Sequence, residues 1–309
     1  MSSSKKVENK IEELKKMATE HGVDISDEIA RITEKIQETS RGSRAWKRVE
    51  LARNPDRPRA LDIIKNICDD FIELHGDRHF GDDLALVGGI GIIDGIAVTI
   101  IGNQKGRNLK ETMARNGGMA NPEGYRKALR LAKQAEKFGR PIITLIDTQG
   151  AYPGLGAEER GIGEAIAVNL REFSQLKTPI ICIIIGEGGS GGALGIGVGD
   201  KIYMLENAVY SVISPEGYAS ILLRDSSQAK NAAAMMKITA EDVLDLKICN
   251  GIIPEPTGGA QVDPATSSKS IKEVIVRDLK DLMTRNPSVL VRYRNQKIRT
   301  IGHFVEECQ

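Results

Sequence analysis

The chain reads as an α/β protein, and three observations predict that class. An unbroken β-branched run, Ile180 to Ile185, has the length and composition of a buried strand. A unit of proline, apolar strand, glycine-rich turn and helix occurs twice, starting at Pro141 and again at Pro179. Such units are what crossovers between parallel strands require. Between Ala85 and Gly102, two β-rich runs flank Asp94-Gly95, a residue pair preferred in two-residue hairpin turns.

The elements follow in order. Residues 5–40 predict a helical hairpin: Val7, Ile11, Leu14 and Met17 share one face, and His21-Gly22 breaks the pattern. Ser26 and Asp27 offer a cap before Ile29, Ile32 and Ile36 repeat that face. A pair of this kind serves either as an interface element or as a cover for its own domain. Proline and arginine punctuate residues 54–59, and Leu61 to Leu74 predicts a helix. The hairpin Ala85–Ile93 and Ile96–Gly102 comes next, then a helix rich in Arg and Lys from Pro122 to Phe138. The first repeated unit gives a strand from Ile142 to Ile146, the turn Asp147 to Gly154, and a helix through Leu170. In the second, the strand is expected to stop at Gly186 and a helix of small residues to follow. Short strands are expected at Lys201–Leu205 and Val209–Ile213, helix over 216–249, loop over 254–268 and a terminal helix over 269–286. The division is therefore 1–43, 44–268 and 269–309, with glycine turns gathered on the sheet edge where ligands bind.

At 309 residues the chain can bury a full core. Lys+Arg 43 against Asp+Glu 42 leaves a net charge of +1, so no global field recruits nucleic acid or a membrane surface. Cys68, Cys182, Cys249 and Cys308 are scattered without a CxxC pair, which argues against a zinc site built by this chain. The N-terminus leads into a charged helix without an apolar signal segment, and no stretch has transmembrane length; a cytoplasmic protein is expected.

The sharpest chemical signal lies at 186–192, where five of seven positions are glycine and the others are Glu187 and Ser190. A glycine turn between strand and helix exposes backbone N–H groups that can hold an anion, or an oxygen that becomes one during reaction. Two other readings fit the letters. Gly186-Glu187-Gly188-Gly189-Ser190-Gly191 satisfies the dinucleotide pattern, with Glu206 as an acidic residue further on. Its depth in the chain, the short helix after it and the surplus glycines through Gly199 weigh against NAD. Gly188 to Gly192 also satisfies G-x-S-x-G, yet only His303, in the tail, follows as a partner for a Ser190 nucleophile. No Walker A sequence is present.

Several longer motifs stand in one order: Gln104 to Arg107, Pro122 to Arg130, Asp147 to Gly154, Ala157 to Gly161, Gly186 to Leu194 and Tyr210 to Gly217. Together they resemble the carboxyltransferase alpha subunits of bacterial acetyl-CoA carboxylase, over about Ala52 to Gly259. Departures are Asn103 and Gln261 for expected histidines, Gly117 for a phenylalanine and Tyr218 for a cysteine. Asn103 weakens any role given to a histidine there.

The resemblance implies a crotonase-like superhelix of ββα units, flanked by the N-terminal helical hairpin and C-terminal helices. It implies transfer of a carboxyl group from carboxybiotin, on a biotin carboxyl carrier protein, to acetyl-CoA, giving malonyl-CoA for fatty-acid synthesis. Propionyl-CoA or glutaconyl-CoA is the alternative acceptor, and a non-catalytic scaffold is the competing class. No cofactor is bound covalently, and the expected partners are a beta subunit in an α₂β₂ assembly, the carrier protein and biotin carboxylase. Zinc is expected on the beta subunit only. By the same resemblance, Gly191 and Gly192 supply the backbone oxyanion hole. Gly188 and Gly189 shape its approach, and Gly150, Ala151, Tyr152 and Gly154 wall the biotin pocket. Lys105, Arg107 and Arg126 are candidate contacts for CoA phosphates or the carrier, with solvated charge as the plainer reading. Glu158, Glu159 and Arg160 read as structural, either an ion-paired brace or an acidic pair at a helix N-terminus.

Overall fold

The computed structural model describes residues 44–302; the helical hairpin expected at 5–40, His303 and Cys308 lie outside them. Helix α1 (44–52) leads to α2 (Ala60–Ile67), and one eight-stranded sheet organises the rest. Its path is β1 (Asp70–Glu73), β2 (Leu86–Ile93), β3 (Ile96–Asn103), β4 (Ile142–Thr148), β5 (Ile180–Gly189), β6 (Lys201–Leu205) and β8 (Gly251–Ile253), with β7 (Val209–Ser211) paired to β5. Strands β1 to β3 are antiparallel, and β3 through β6 run parallel in sequence order. Apart from β7, which steps back to the end of β5, the chain therefore advances along the sheet in one direction, without the switch point at which a doubly wound fold takes a dinucleotide.

Two expected boundaries change here. Leu61–Leu74 is not one helix: it ends at Ile67, and Asp70–Glu73 joins the sheet as an edge strand. Strand β5 does not stop at Gly186 but continues to Gly189. Its first half pairs β6 through Ile181–Ile184, and its last residues, Glu187–Gly189, pair β7. Opposite β4 the ladder jumps from Ile146↔Ile184 to Thr148↔Gly188, so β5 carries extra residues where the strands approach the loops. Bulges of this kind re-aim side chains beside binding sites.

The core is aliphatic. Ile142, Ile143, Leu145, Ile180, Ile181 and Ile183 are all fully buried, and each is worth about 1.5–3 kcal/mol relative to exposure. Helix α3 (Leu109–Ala114) follows β3, and α4 (Pro122–Lys137) packs Tyr125, Ala128 and Leu131 on the sheet, with proline at its first position. The first unit's helix is split into α5 (Leu155–Glu159) and α6 (Ile162–Gln175), and α7 (Ser190–Leu194) follows β5. The stretch expected as helix over 216–249 is broken, with α8 (Pro215–Tyr218), α9 (Ala229–Met235) and α10 (Ala240–Asp245) separated by turns. The loop expected to 268 ends early, because Asp263 caps Thr266 N–H and starts α11 (Pro264–Leu282). A second C-terminal helix, α12 (Pro287–Arg299), follows; the residue pattern placed only one there, while the resemblance implied C-terminal helices. Among the described residues no helix is long and apolar enough to cross a membrane.

Candidate functional site

The loops after β3, β4 and β5 converge at one sheet edge. The two glycine segments meet backbone to backbone. A Cβ on Gly189 would fall on the Gln149 carbonyl, and one on Gly192 would fall on the Gly150 carbonyl and 2.6 Å from Ala151 N. Only glycine permits that approach. At Gly191 a Cβ would meet nothing nearer than Ile166, 3.5 Å away. Gly188 and Gly189 lie in β5, and the turn itself falls on Ser190, with φ +52. The dinucleotide reading fails on this point, since the first glycines of its pattern are strand, not phosphate-facing turn.

Helix α7 is one turn long, so the N–H groups of Ser190, Gly191 and Gly192 have no acceptor inside it. Across the contact, Gly150 N–H donates to Thr148 Oγ1 (3.2 Å) and Tyr152 N–H to Ala120 O (3.0 Å), while no acceptor among the described residues pairs with Ala151 N–H. The Ala151 N–H therefore lies beside the first turn of α7. Preorganised N–H groups there can hold negative charge that develops on a substrate oxygen. Side chains set the arrangement: Tyr125 Oη donates to Gly192 O (3.4 Å), and Asn169 Nδ2 donates to Tyr125 O (3.0 Å) and Gly195 O (2.9 Å). Neither residue carries a local sequence signal.

One cavity borders the turn, and a second borders residues Asp147, Gln149 and Glu187 just ahead of it. The apolar one, about 400 Å³, is lined by Ser190, Gly191 and Leu194 against Tyr210, Val212 and Tyr218. The polar one, about 490 Å³, is lined by Lys105, Gly106, Arg107, Gln149 and Glu187. Leu109 and Val212, at their rims, are 77% and 79% exposed.

The remaining candidates divide. Tyr152 folds its ring over Gly154. Lys105 is held by Asp147 and Glu187 at 2.7 and 2.9 Å and is no free cation. Arg107 pairs with Asp62 and still lines the polar cavity. Arg126 bonds Asp77 (2.9 Å), and Arg160 bonds Glu123 (2.9 Å) and stacks on Phe80; both brace the loop before β2. Glu158 and Glu159 are exposed. Of the departures, Asn103 is fully buried with neither amide atom bonded, and Gln261 Nε2 donates to Gly258 O (2.7 Å).

Asp77 permits a pH prediction. Burial alone would raise its carboxyl, but the Arg126 bond and three N–H groups, from His79, Phe80 and Gly81, bring it down to about 2. A depressed carboxyl stabilises the fold above its ordinary value of 3.8, and that contribution disappears as pH falls through about 2. Pepsin cleavage at Phe80 should therefore accelerate in wild type between those values. Asp77→Asn should be cut readily throughout; a wild-type profile in that variant would contradict the assignment.

The family model described as acetyl co-enzyme A carboxylase carboxyltransferase-like matches residues 2–302. The acetyl-coenzyme A carboxylase carboxyl transferase subunit alpha of Treponema denticola is 70% identical over 304 residues, covering 98% of this chain and 100% of the relative. The subunit of the same name from Carboxydothermus hydrogenoformans is 52% identical over 305 residues, covering 97% and 94%. Among solved structures, transcarboxylase 12S aligns with a TM-score of 0.61 at 21% identity, over 74% of this chain and 42% of that one. A Pseudomonas malonate decarboxylase hetero-tetramer chain aligns at 0.57 and 18% identity, over 72% and 90%. At such identities the structural likeness concerns the fold alone, and it is the crotonase-like carboxyltransferase fold.

Proposed function

The chain belongs to the acetyl-CoA carboxylase carboxyltransferase-like family, and from that premise we propose that it is the alpha half of a split enzyme that carboxylates acetyl-CoA. One observation carries the chemistry: the Gly150–Ala151 backbone packs directly against Gly192, which sets the Ala151 N–H beside the first turn of α7, whose leading N–H groups have no acceptor inside the helix. Carboxyl transfer breaks the bond from the biotin ring nitrogen to the carboxyl carbon, releasing CO₂ and leaving negative charge shared with the ureido oxygen. Gly191 and Gly192, with Ala151, stabilise that charge; losing one such donor typically costs about 2.7–4 kcal/mol. The freed ring nitrogen takes the proton from the acetyl methyl group, and the resulting carbanion attacks CO₂. No side-chain base from this chain enters the step.

Gly150, Tyr152 and Gly154 wall the ring's approach, and Gly188 and Gly189 keep the two loops in contact. The exposed Leu109 and Val212 fit coverage by a beta subunit, which would bind acetyl-CoA, carry any zinc and complete an α₂β₂ assembly. Carrier protein and biotin carboxylase complete the cycle, in the cytoplasm. Nothing observed favours propionyl-CoA or glutaconyl-CoA.

The test is malonyl-CoA decarboxylation with biocytin as acceptor. Activity is expected only when this chain is combined with a beta subunit. Full activity of this chain alone would sink the split-site reading, and an inactive stable complex would return the scaffold.

A further inference from the structure

Beneath the two glycine segments runs a chain of charges. Lys105 Nζ lies 2.7 Å from Asp147 Oδ1 and 2.9 Å from Glu187 Oε1. Glu187 Oε2 accepts from Arg53 Nε at 2.7 Å, and Arg53 Nη1 reaches Glu216 Oε1, also at 2.7 Å. The five side chains come from the residue after α1, the loop after β3, β4, β5 and α8. Their position matters. The β4–β5 ladder is interrupted between Ile146 and Thr148, and Asp147 is the residue in the gap. Its Oδ1 accepts the Glu187 N–H at 2.9 Å, so a side chain does what the broken ladder does not. Asp147 immediately precedes the Thr148–Ala151 loop, and Glu187 immediately precedes Gly188.

We propose that Lys105 is a positioning residue whose ammonium clamps Asp147 to Glu187, fixing the spacing between the Ala151 donor and the Gly191–Gly192 donors. The inference rests on the carboxyltransferase reading for its effect on rate, but not for the clamp itself. Burial would lower the Lys105 ammonium, yet Asp147 and Glu187 together hold it raised, so it stays charged. Burial would raise Glu187, and Lys105 and Arg53 outweigh that.

Removing the cation leaves the two carboxylates that flanked it without their shared partner, faced by Arg53 and Glu216 and, at longer range, Arg59. Two carboxylates sharing one site cannot both ionise cheaply, so one takes up a proton when pH is low enough. Lys105→Met should therefore loosen the clamp less at acid pH, where proton uptake relieves the repulsion, and more at alkaline pH. A residue that merely filled space would show no such dependence.

The experiment follows amide exchange of segments 148–152 and 187–192 in the full chain at about pH 6 and about pH 8.5, corrected for intrinsic rate. Carboxyl transfer by the complex with a beta subunit is measured alongside. For Lys105→Met at the higher pH, both segments should exchange about tenfold faster than wild type, a size typical of coupling between contacting residues. kcat should fall in parallel with little change in KM. Lys105→Arg, and Lys105→Met combined with Glu187→Gln, should each restore most of the protection. Wild-type exchange in Lys105→Met at both pH values overturns the proposal, as does a loss that ignores pH and persists in the double variant. If Lys105→Met does not fold, Asp147→Asn removes one jaw of the clamp, and unchanged exchange there is equally fatal. Should the wild-type complex transfer no carboxyl group, the functional reading fails, while the exchange measurements still decide the clamp.

Discussion

Replacing Gly192 with alanine in the assembled enzyme is expected to lower kcat for carboxyl transfer by about 10²–10³-fold, the loss typical when one oxyanion donor is displaced. The added methyl group has nowhere to go, since it would overlap the Gly150 carbonyl and crowd Ala151 N. The two donor-bearing segments must therefore separate. Gly191→Ala is the paired control, because its Cβ meets only Ile166, at 3.5 Å. That variant should keep the spacing and most of the rate. Steady-state kinetics on both complexes decides the matter: comparable rates in the two would remove close backbone contact from the mechanism.

The largest effect on stability is expected at Arg294. Its side chain is fully buried and bonds Asp200 at 2.8 Å, together with the carbonyls of Phe173 (2.8 Å), Leu176 (2.8 Å) and Thr178 (2.9 Å). Asp200 in turn accepts Ile180 N–H at 2.8 Å, at the start of β5. One guanidinium thus fastens α12 to the end of α6 and to the sheet. Arg294→Met strands a buried carboxylate and three carbonyls, a loss of about 3–5 kcal/mol. Thermal unfolding should shift down by about 10 °C, at 2–4 °C per kcal/mol for chains of this size class. Combining Arg294→Met with Asp200→Asn should recover part of that shift, because no unpaired charge remains. A shift of only a degree or two in the single variant would show that water or a neighbour replaces the guanidinium.

Much of the fold was legible because the signals were local. Asp94 and Gly95 have φ of +47 and +77, as the hairpin turn demands, and the two proline-led units became β4 and β5. Errors came where local rules yield to packing. Glycine reads as a breaker, yet β5 runs through Gly189 because Gln149 and Tyr210 press too closely for a larger residue. Asp70–Glu73 lies on an edge strand whose Phe71 and Ile72 fit a helical pattern equally well. Arg126 looked available for a ligand until Asp77, 49 positions away in the chain, was found to hold it. The charge chain under the site joins residues as much as 163 positions apart, and no periodicity registers such a pairing. The glycines of the site were legible; the residues that fix their distance were not.

The contact between Gly192 and the Gly150–Ala151 backbone also bears on inhibition. A compound that grips these N–H groups binds atoms common to every residue except proline, so an ordinary side-chain exchange cannot prune the contact. The one exchange that would block it, a larger residue at Gly192, also forces apart the donors the reaction uses. Resistance to such a compound should therefore arise at the cavity rims, at Val212 or Leu109, or through raised expression, and not in the turn itself.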